Sequence, residues 1–185
     1  GEPTPEGSVV RRMQEAAEAA HILGAKRQTL TLPNRYIEDT IDNRFIVAAE
    51  IRAFRPDAIF APYPVDAHPD HVAASALITA ARFYAKLSKT RLPHERHFAS
   101  HLIYYFPVHL RLQLQPSFLN DISKFKEQKK KALQAYHSQF HKRPELLEKL
   151  LQENEHWGFM AGVEAAEPFF QHEPVLFSAW PEGSL

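Results

Sequence analysis

The chain has no cysteine among its 185 residues. That excludes disulfide bridges, thiolate zinc clusters and a cysteine nucleophile. It has only six glycines, and none forms a GxGxxG turn or a phosphate-cradling P-loop. GxSxG and HExxH are missing too, so most common nucleotide and hydrolase signatures are absent. Charge of one sign is not in excess: Lys+Arg and Asp+Glu both number 22. Such a balance gives no support for nucleic-acid or acidic-membrane binding. No apolar run reaches membrane-spanning length and no signal peptide is visible, so a cytoplasmic location is the default expectation.

What is present is a soluble globular composition, 44% hydrophobic and 24% charged, over a length that suits one domain, residues 1–185. After a polar Gly/Pro-rich lead-in, Ser8 or a neighbour can cap an amphipathic helix from Val9 to Leu23, with Met13, Ala16, Ala17, Ala20 and Leu23 on its apolar face and Gly24 as its stop. Arg27 to Leu32 alternates like a strand. Thr40 to Phe54 reads as a second helix, closed by Pro56. A strand from Asp57 to Pro62 and a helix to about Leu87 follow. Leu102 to Phe106 is strongly β-prone, and Phe118 to Ile122 suggests another short strand. Further helices run from Lys124 to about Phe140, capped by Asp121 or Ser123, and from Pro144 to about Trp157. This alternation of helix and strand predicts an α/β fold: three layers, Rossmann-like, around a mainly parallel sheet. The tail, with Phe169, Phe170, Val175, Leu176, Phe177 and Trp180, is apolar enough to require cover from the domain or another subunit.

The densest chemistry lies in Arg55 to Leu77, RPDAIFAPYPVDAHPDHVAASAL. A buried strand ends at Pro62, a loop follows, and His68-Pro69-Asp70-His71 opens an Ala-rich helix. Pro69 suits the first helical position, where a missing N–H costs nothing. His68 is then the N-cap and His71 lies in the first turn. A loop leaving a parallel strand for a helix sits at the carboxyl edge of the sheet, where such folds bind ligands. By the same logic Arg12, which begins a helix, is expected at that edge with His68, Asp70 and His71. Structural readings compete. Asp70 would also interact favourably with the helix dipole. His94 and His97 sit in a basic loop without a third ligand. His137 and Ser138 cap and pack, and Glu164 and Glu167 are surface or interface residues. The KEQKKK run is a solvated face.

These residues resemble the LmbE-like/PIG-L zinc-dependent N-deacetylases, a family that includes the de-N-acetylases of glucosaminyl-phosphatidylinositol and of the mycothiol and bacillithiol precursors. Arg12-x-x-Glu15 with Ala19-Ala20-x-x-Leu23-Gly24 is similar to the family's first helix. Arg55-Pro56-Asp57 leading into Asp66-Ala67-His68-Pro69-Asp70-His71 is similar to its second motif. Ser117 to Ser123, Lys131 to Gln139 and Gly158 to Phe169 resemble its C-terminal third. The family's first motif, a strand ending in His-Pro-Asp-Asp, has no counterpart here, so the resemblance implies a chain truncated at its amino end by roughly forty residues.

The resemblance further implies hydrolysis of the N-acetyl group of an N-acetylglucosamine-type small molecule by a zinc-activated water. It makes His71 a metal ligand, with the other Zn2+ ligands in the segment that is not here. His68 would stabilise the oxyanion or protonate the amine. Asp70 would hold His68 in its tautomer, and Arg12 and Asp66 would bind substrate. It also implies homo-oligomers, often trimer-based, while the expectation of no nucleic-acid partner rests on the balanced charge. Two alternatives stand beside it: a truncated, catalytically inactive relative, or a Rossmann-like small-molecule binding module.

Overall fold

The computed structural model describes residues 8–107, 115–174 and 176. The chain forms two compact units. One comprises Gly1–Ile37 and Phe118–Pro168; the other comprises Glu38–Ser117 and Phe169–Leu185. Among the described residues there are six α-helices and four strands, and the strands make one open sheet in the order β1-β2-β4-β3. The fold is mixed α/β.

In the second unit, helix α2 (Ile41–Phe54) starts at Thr40, whose side chain accepts from Asn43 N–H, and ends at Arg55 in the left-handed conformation. Strand β1 (Ala58–Pro62), helix α3 (Pro69–Ala85) and strand β2 (His101–Tyr105) follow. β1 and β2 pair in parallel from Ala58–His101 to Pro62–Tyr105. Parallel neighbours need a crossover, and α3 supplies it. Ala48 and Ile51 of α2 pack on Ala81 and Ala85 of α3, with Leu92, Phe45, Ile59 and Tyr84 around them. Small residues let the two helix backbones approach closely.

Two buried arginines finish this unit. Arg52 donates to the carbonyls of Ala85, Leu87, Leu92 and His94. Its charge sits where α3 ends and carbonyls lack helical partners, which the helix dipole favours. Arg82 donates to Ala99 O and Ser100 O and forms a bidentate pair with Glu173 at 2.7 and 2.9 Å. The stretch from Ser88 to His97 is therefore pinned as well as solvated. His97 is not placed as a ligand: its Nε2 lies 2.7 Å from Pro56 O.

In the first unit, helix α1 (Val9–Ile22) is capped by Ser8 as expected. Its buried face is Glu15, Ala16 and Ala19, while Met13, Ala17 and Leu23 are exposed. The apolar stripe expected from the sequence is thus rotated, because the polar Glu15 turns inward. Strand β3 (Phe118–Asp121), a single 3-10 turn (Ser123–Phe125) and helices α4 (Lys126–Gln134) and α5 (His137–Phe140) come next. The helix expected from Lys124 to Phe140 is therefore broken at Ala135–Tyr136. Neither Asp121 nor Ser123 caps α4; Asp121 accepts instead from Ser123 N–H and Oγ–H. Helix α6 (Pro144–Ala161) runs one turn beyond Trp157 and ends on Gly162 at φ +73. Leu147 and Leu151 face its core, each worth about 2 kcal/mol on burial.

Two expectations about the strands change. Arg27 to Leu32 is not a strand; it has no ladder partner among the described residues, and alternation without a partner leaves only an extended segment. The sheet is mixed where parallel pairing was expected to dominate: β2 pairs antiparallel with β4 (Ala166–Phe170) through Tyr104–Phe170 and Tyr105–Phe169. That strand includes the start of the apolar tail, so Phe169 and Phe170 are covered by the sheet. Val175, Phe177 and Trp180 lie outside the described residues. Among the described residues no helix is long and apolar enough to cross a membrane.

Candidate functional site

The site grows from the exit of β1. Pro62 ends the strand, and the chain turns through Tyr63 to Ala67 before Pro69 starts α3. His68 is the N-cap, with extended backbone angles. Its ring Nδ1 accepts from the backbone N–H of Asp70 at 3.2 Å. A ring nitrogen that accepts carries no proton, so neutral His68 holds its proton on Nε2. Asp70 was expected to hold His68 in its tautomer and favour its charged form; the bond present is from the Asp70 backbone N–H to the ring. Its carboxylate lies buried in the first turn of α3, where the helix dipole favours negative charge.

Asp66 organises the other ring. Its Oδ1 accepts from the His68 backbone N–H at 2.7 Å. Its Oδ2 lies 2.8 Å from His71 Nδ1. The Asp66 side chain is 0% exposed and that of His71 30% exposed. An ionised carboxylate can only accept, so His71 Nδ1 carries the proton and, in the neutral ring, Nε2 carries the lone pair. The two rings stack with centroids 4.5 Å apart and an interplanar angle of 15°. Two adjacent imidazoles are thus set in opposite tautomers, one a donor and one an acceptor at Nε2.

Tyr105 joins them at the carboxyl end of β2, beside Pro62. Burial first, and the Asp66 charge second, push its phenol above the ordinary tyrosine value. It therefore keeps its proton at neutral pH and is a hydrogen-bond donor. The sequence offered a usable signal for it: a tyrosine closing the strand that follows a helix crossover.

Arg12, expected in one cleft with His68, belongs to the other compact unit. Its guanidinium lies over the Tyr136 ring at 5.4 Å and 3.6 Å from Glu15. Its Nε and Nη1 are buried without a hydrogen-bond partner among the described residues. Glu15 accepts from Ser138 N–H at 2.7 Å and Oγ–H at 2.6 Å. Burial raises this carboxyl's pKa, but the two Ser138 bonds with Arg11 and Arg12 lower it overall. Ser138 is therefore a packing residue, its proton committed to Glu15. Glu164 and Glu167 pair with Lys126 and Lys129.

A zinc site takes three or four protein ligands. Among the described residues no three His, Asp or Glu side chains come together to hold a metal. His71 is the right donor type, and Asp66 behind it is the usual outer partner of a ligating histidine. The number of ligands among the described residues does not fit a complete zinc centre.

Comparison with known proteins agrees with this local pattern. The family model described as PIG-L, GlcNAc-PI de-N-acetylase, matches residues 2–82, a span that contains α1 and the whole motif. The conserved protein TT1542 from Thermus thermophilus is 38% identical, with a TM-score of 0.88, over 96% of this chain and 80% of its own. GalB, the 4-carboxy-2-hydroxymuconate hydratase from Pseudomonas putida, is 22% identical with a TM-score of 0.85, over 98% of this chain and 79% of its own. The N,N'-diacetylchitobiose deacetylase from Pyrococcus horikoshii is 23% identical with a TM-score of 0.65, over 86% of this chain and 62% of its own. The last two matches show a shared fold that serves a hydratase and a deacetylase alike, so fold does not choose the reaction. With the family model over the motif and a 38% identical relative along nearly its full length, the chain belongs to the LmbE-like/PIG-L family.

Proposed function

We propose that this protein hydrolyses the N-acetyl amide of an N-acetylglucosamine-type small molecule. The observation that carries the reading is the pair of opposed tautomers at the start of α3. Amide hydrolysis needs a donor for the developing oxyanion, a proton for the leaving amine and an electron-pair donor toward the water or its activator. His68 Nε2–H supplies the donor, and His71 Nε2 supplies the electron pair. One oxyanion donor is worth about 10²–10³-fold in kcat. Tyr105 offers a second protonated donor at the same strand edge, suited to a sugar hydroxyl.

Arg12 has two buried nitrogens, Nε and Nη1, without a hydrogen-bond acceptor among the described residues, which suits a residue that binds an anionic or oxygen-rich part of the substrate. The family match supports deacetylation as the reaction class. Zinc is part of the proposal through the resemblance: when bound it would polarise the carbonyl and activate water. His71 is the ligand assigned to this motif, and the roles of His68 and Tyr105 rest on their own hydrogen bonds. Exposed Phe159 and Met160, adjacent on α6, support self-association.

The test is acetate release from N-acetylglucosaminides by the protein in its natural full length, with and without a chelator. Chelator-sensitive release of acetate is the expected result. Substrate binding without release would favour a catalytically silent binding module, and neither binding nor release would overturn the proposal.

A further inference from the structure

We infer that Asp66 is a positioning residue, which sets the tautomer of His71 and anchors the loop that carries His68, and that it does not contact substrate. The sequence suggested a substrate contact because Asp66 lies in the loop just ahead of the motif. Three observations assign it otherwise. Its side chain is fully buried. Its two oxygens have separate duties, Oδ1 on the His68 backbone N–H and Oδ2 on His71 Nδ1. The spacing makes both contacts local, two and five residues along the chain, so one carboxylate ties the loop to the first turn of α3.

The consequence is chemical. Nδ1 of His68 is capped by a backbone N–H, while Nδ1 of His71 is held by a carboxylate. Backbone and carboxylate impose opposite proton positions on two rings in contact. Removing Asp66 takes away the carboxylate that holds the His71 proton on Nδ1. The ring would then move its proton to Nε2, and the pair would present two donors and no acceptor.

This inference rests on the proposed deacetylase reading for its kinetic arm alone. The experiment is side-chain 15N NMR of the full protein, stripped of metal by a chelator so that no metal occupies His71 Nε2, at a pH where the imidazoles are neutral, on the wild type, Asp66→Ala and Asp66→Glu. The His71 signals are assigned by their loss in His71→Gln. Wild-type His71 should show a protonated Nδ1 and an unprotonated Nε2, and His68 the reverse. Asp66→Ala should transfer the His71 proton to Nε2, while backbone amide signals outside residues 62–72 stay in place. Asp66→Glu, which keeps a carboxylate, should restore part of the Nδ1–H form. Kinetically, Asp66→Ala should lower kcat by about 10–100-fold, the usual cost of losing an outer partner of a functional histidine, with KM within about twofold. A His71 that keeps Nδ1–H in Asp66→Ala would overturn the inference. So would a raised KM at unchanged kcat, which is the signature of a lost substrate contact. If the wild type releases no acetate, the deacetylase reading fails while the NMR arm still decides the role of Asp66. If Asp66→Ala is unfolded, the wild-type tautomers together with Asp66→Glu decide it: a wild-type His71 with its proton on Nε2 overturns it.

Discussion

Gly158 is a sharp test of the packing in the unit built on α1 and α6, because two effects of opposite sign meet there. It lies inside α6, where alanine is intrinsically better by about 1 kcal/mol. Propensity alone predicts that Gly158→Ala stabilises. The structure predicts the reverse. A Cβ at this position would sit 2.6 Å from Ala165 N and 2.7 Å from Ala165 Cα and Glu164 C. All three are backbone atoms, so no side chain can swing away. The segment is also fixed by Val163 N–H donating to Gly158 O at 2.9 Å and Ile122 N–H donating to Ala165 O at 2.9 Å. Moving it would strain the entry into β4. Overpacking of this kind costs about 1–3 kcal/mol, and here the low end only cancels the propensity gain. A net loss of up to about 2 kcal/mol is expected, read as a lower urea midpoint at unchanged m-value. Gly24→Ala is the informative comparison: a Cβ there meets nothing within 4 Å among the described residues, but its φ is +66, so its cost is conformational, about 1 kcal/mol. A Gly158→Ala protein more stable than wild type would refute the close approach of α6 to residues 164–165.

Other consequences follow from the buried charges. Glu15→Gln should cost about 1–3 kcal/mol, because an amide offers an N–H₂ where one Ser138 donor now finds an oxygen; an unchanged urea midpoint would show that the Glu15–Ser138 contact does not form. Glu173 is held below its ordinary value by its hydrogen bonds to Arg82, against a smaller opposing effect of burial. A lowered carboxyl pKa stabilises the fold above the unfolded value of 4.5 and loses that contribution as pH falls through the folded one. Its side chain is 51% exposed, so the effect should stay below about 1 kcal/mol. Urea midpoints between pH 7 and pH 3 should fall less steeply for Glu173→Gln than for the wild type, and an equal slope would contradict the pair.

The site segment was legible in the sequence because its determinants are local. A proline at the first helical position, a histidine as N-cap and an aspartate in the first turn all act within a few residues. The role of Asp66 was not legible. Whether a loop carboxylate points at solvent or back at the helix depends on the loop's fold, which no pattern of residue types encodes. The α1 face was misjudged because an inward Glu15 is tolerable only with Ser138, 123 positions away. For β4, the chain AEPFF has a proline and no alternation, and its strand character comes from pairing with β2. Arg27 to Leu32 shows the converse, an alternating segment that no neighbour among the described residues completes. Local signals placed the chemistry, and long-range pairing decided the sheet.

Two stacked histidines with different jobs, one as donor to the reacting carbonyl and one as electron-pair donor, stand at the centre of the proposed chemistry. The direct measurement is zinc content by elemental analysis beside kcat and KM for His68→Ala and His71→Ala, made in the natural full-length protein on an N-acetylglucosaminide. His68→Ala should retain wild-type zinc and lose about 10²–10³-fold in kcat. His71→Ala should lose both metal and rate. Zinc lost from His68→Ala and kept by His71→Ala would reverse the two roles, and unchanged turnover in both would contradict the division of labour outright.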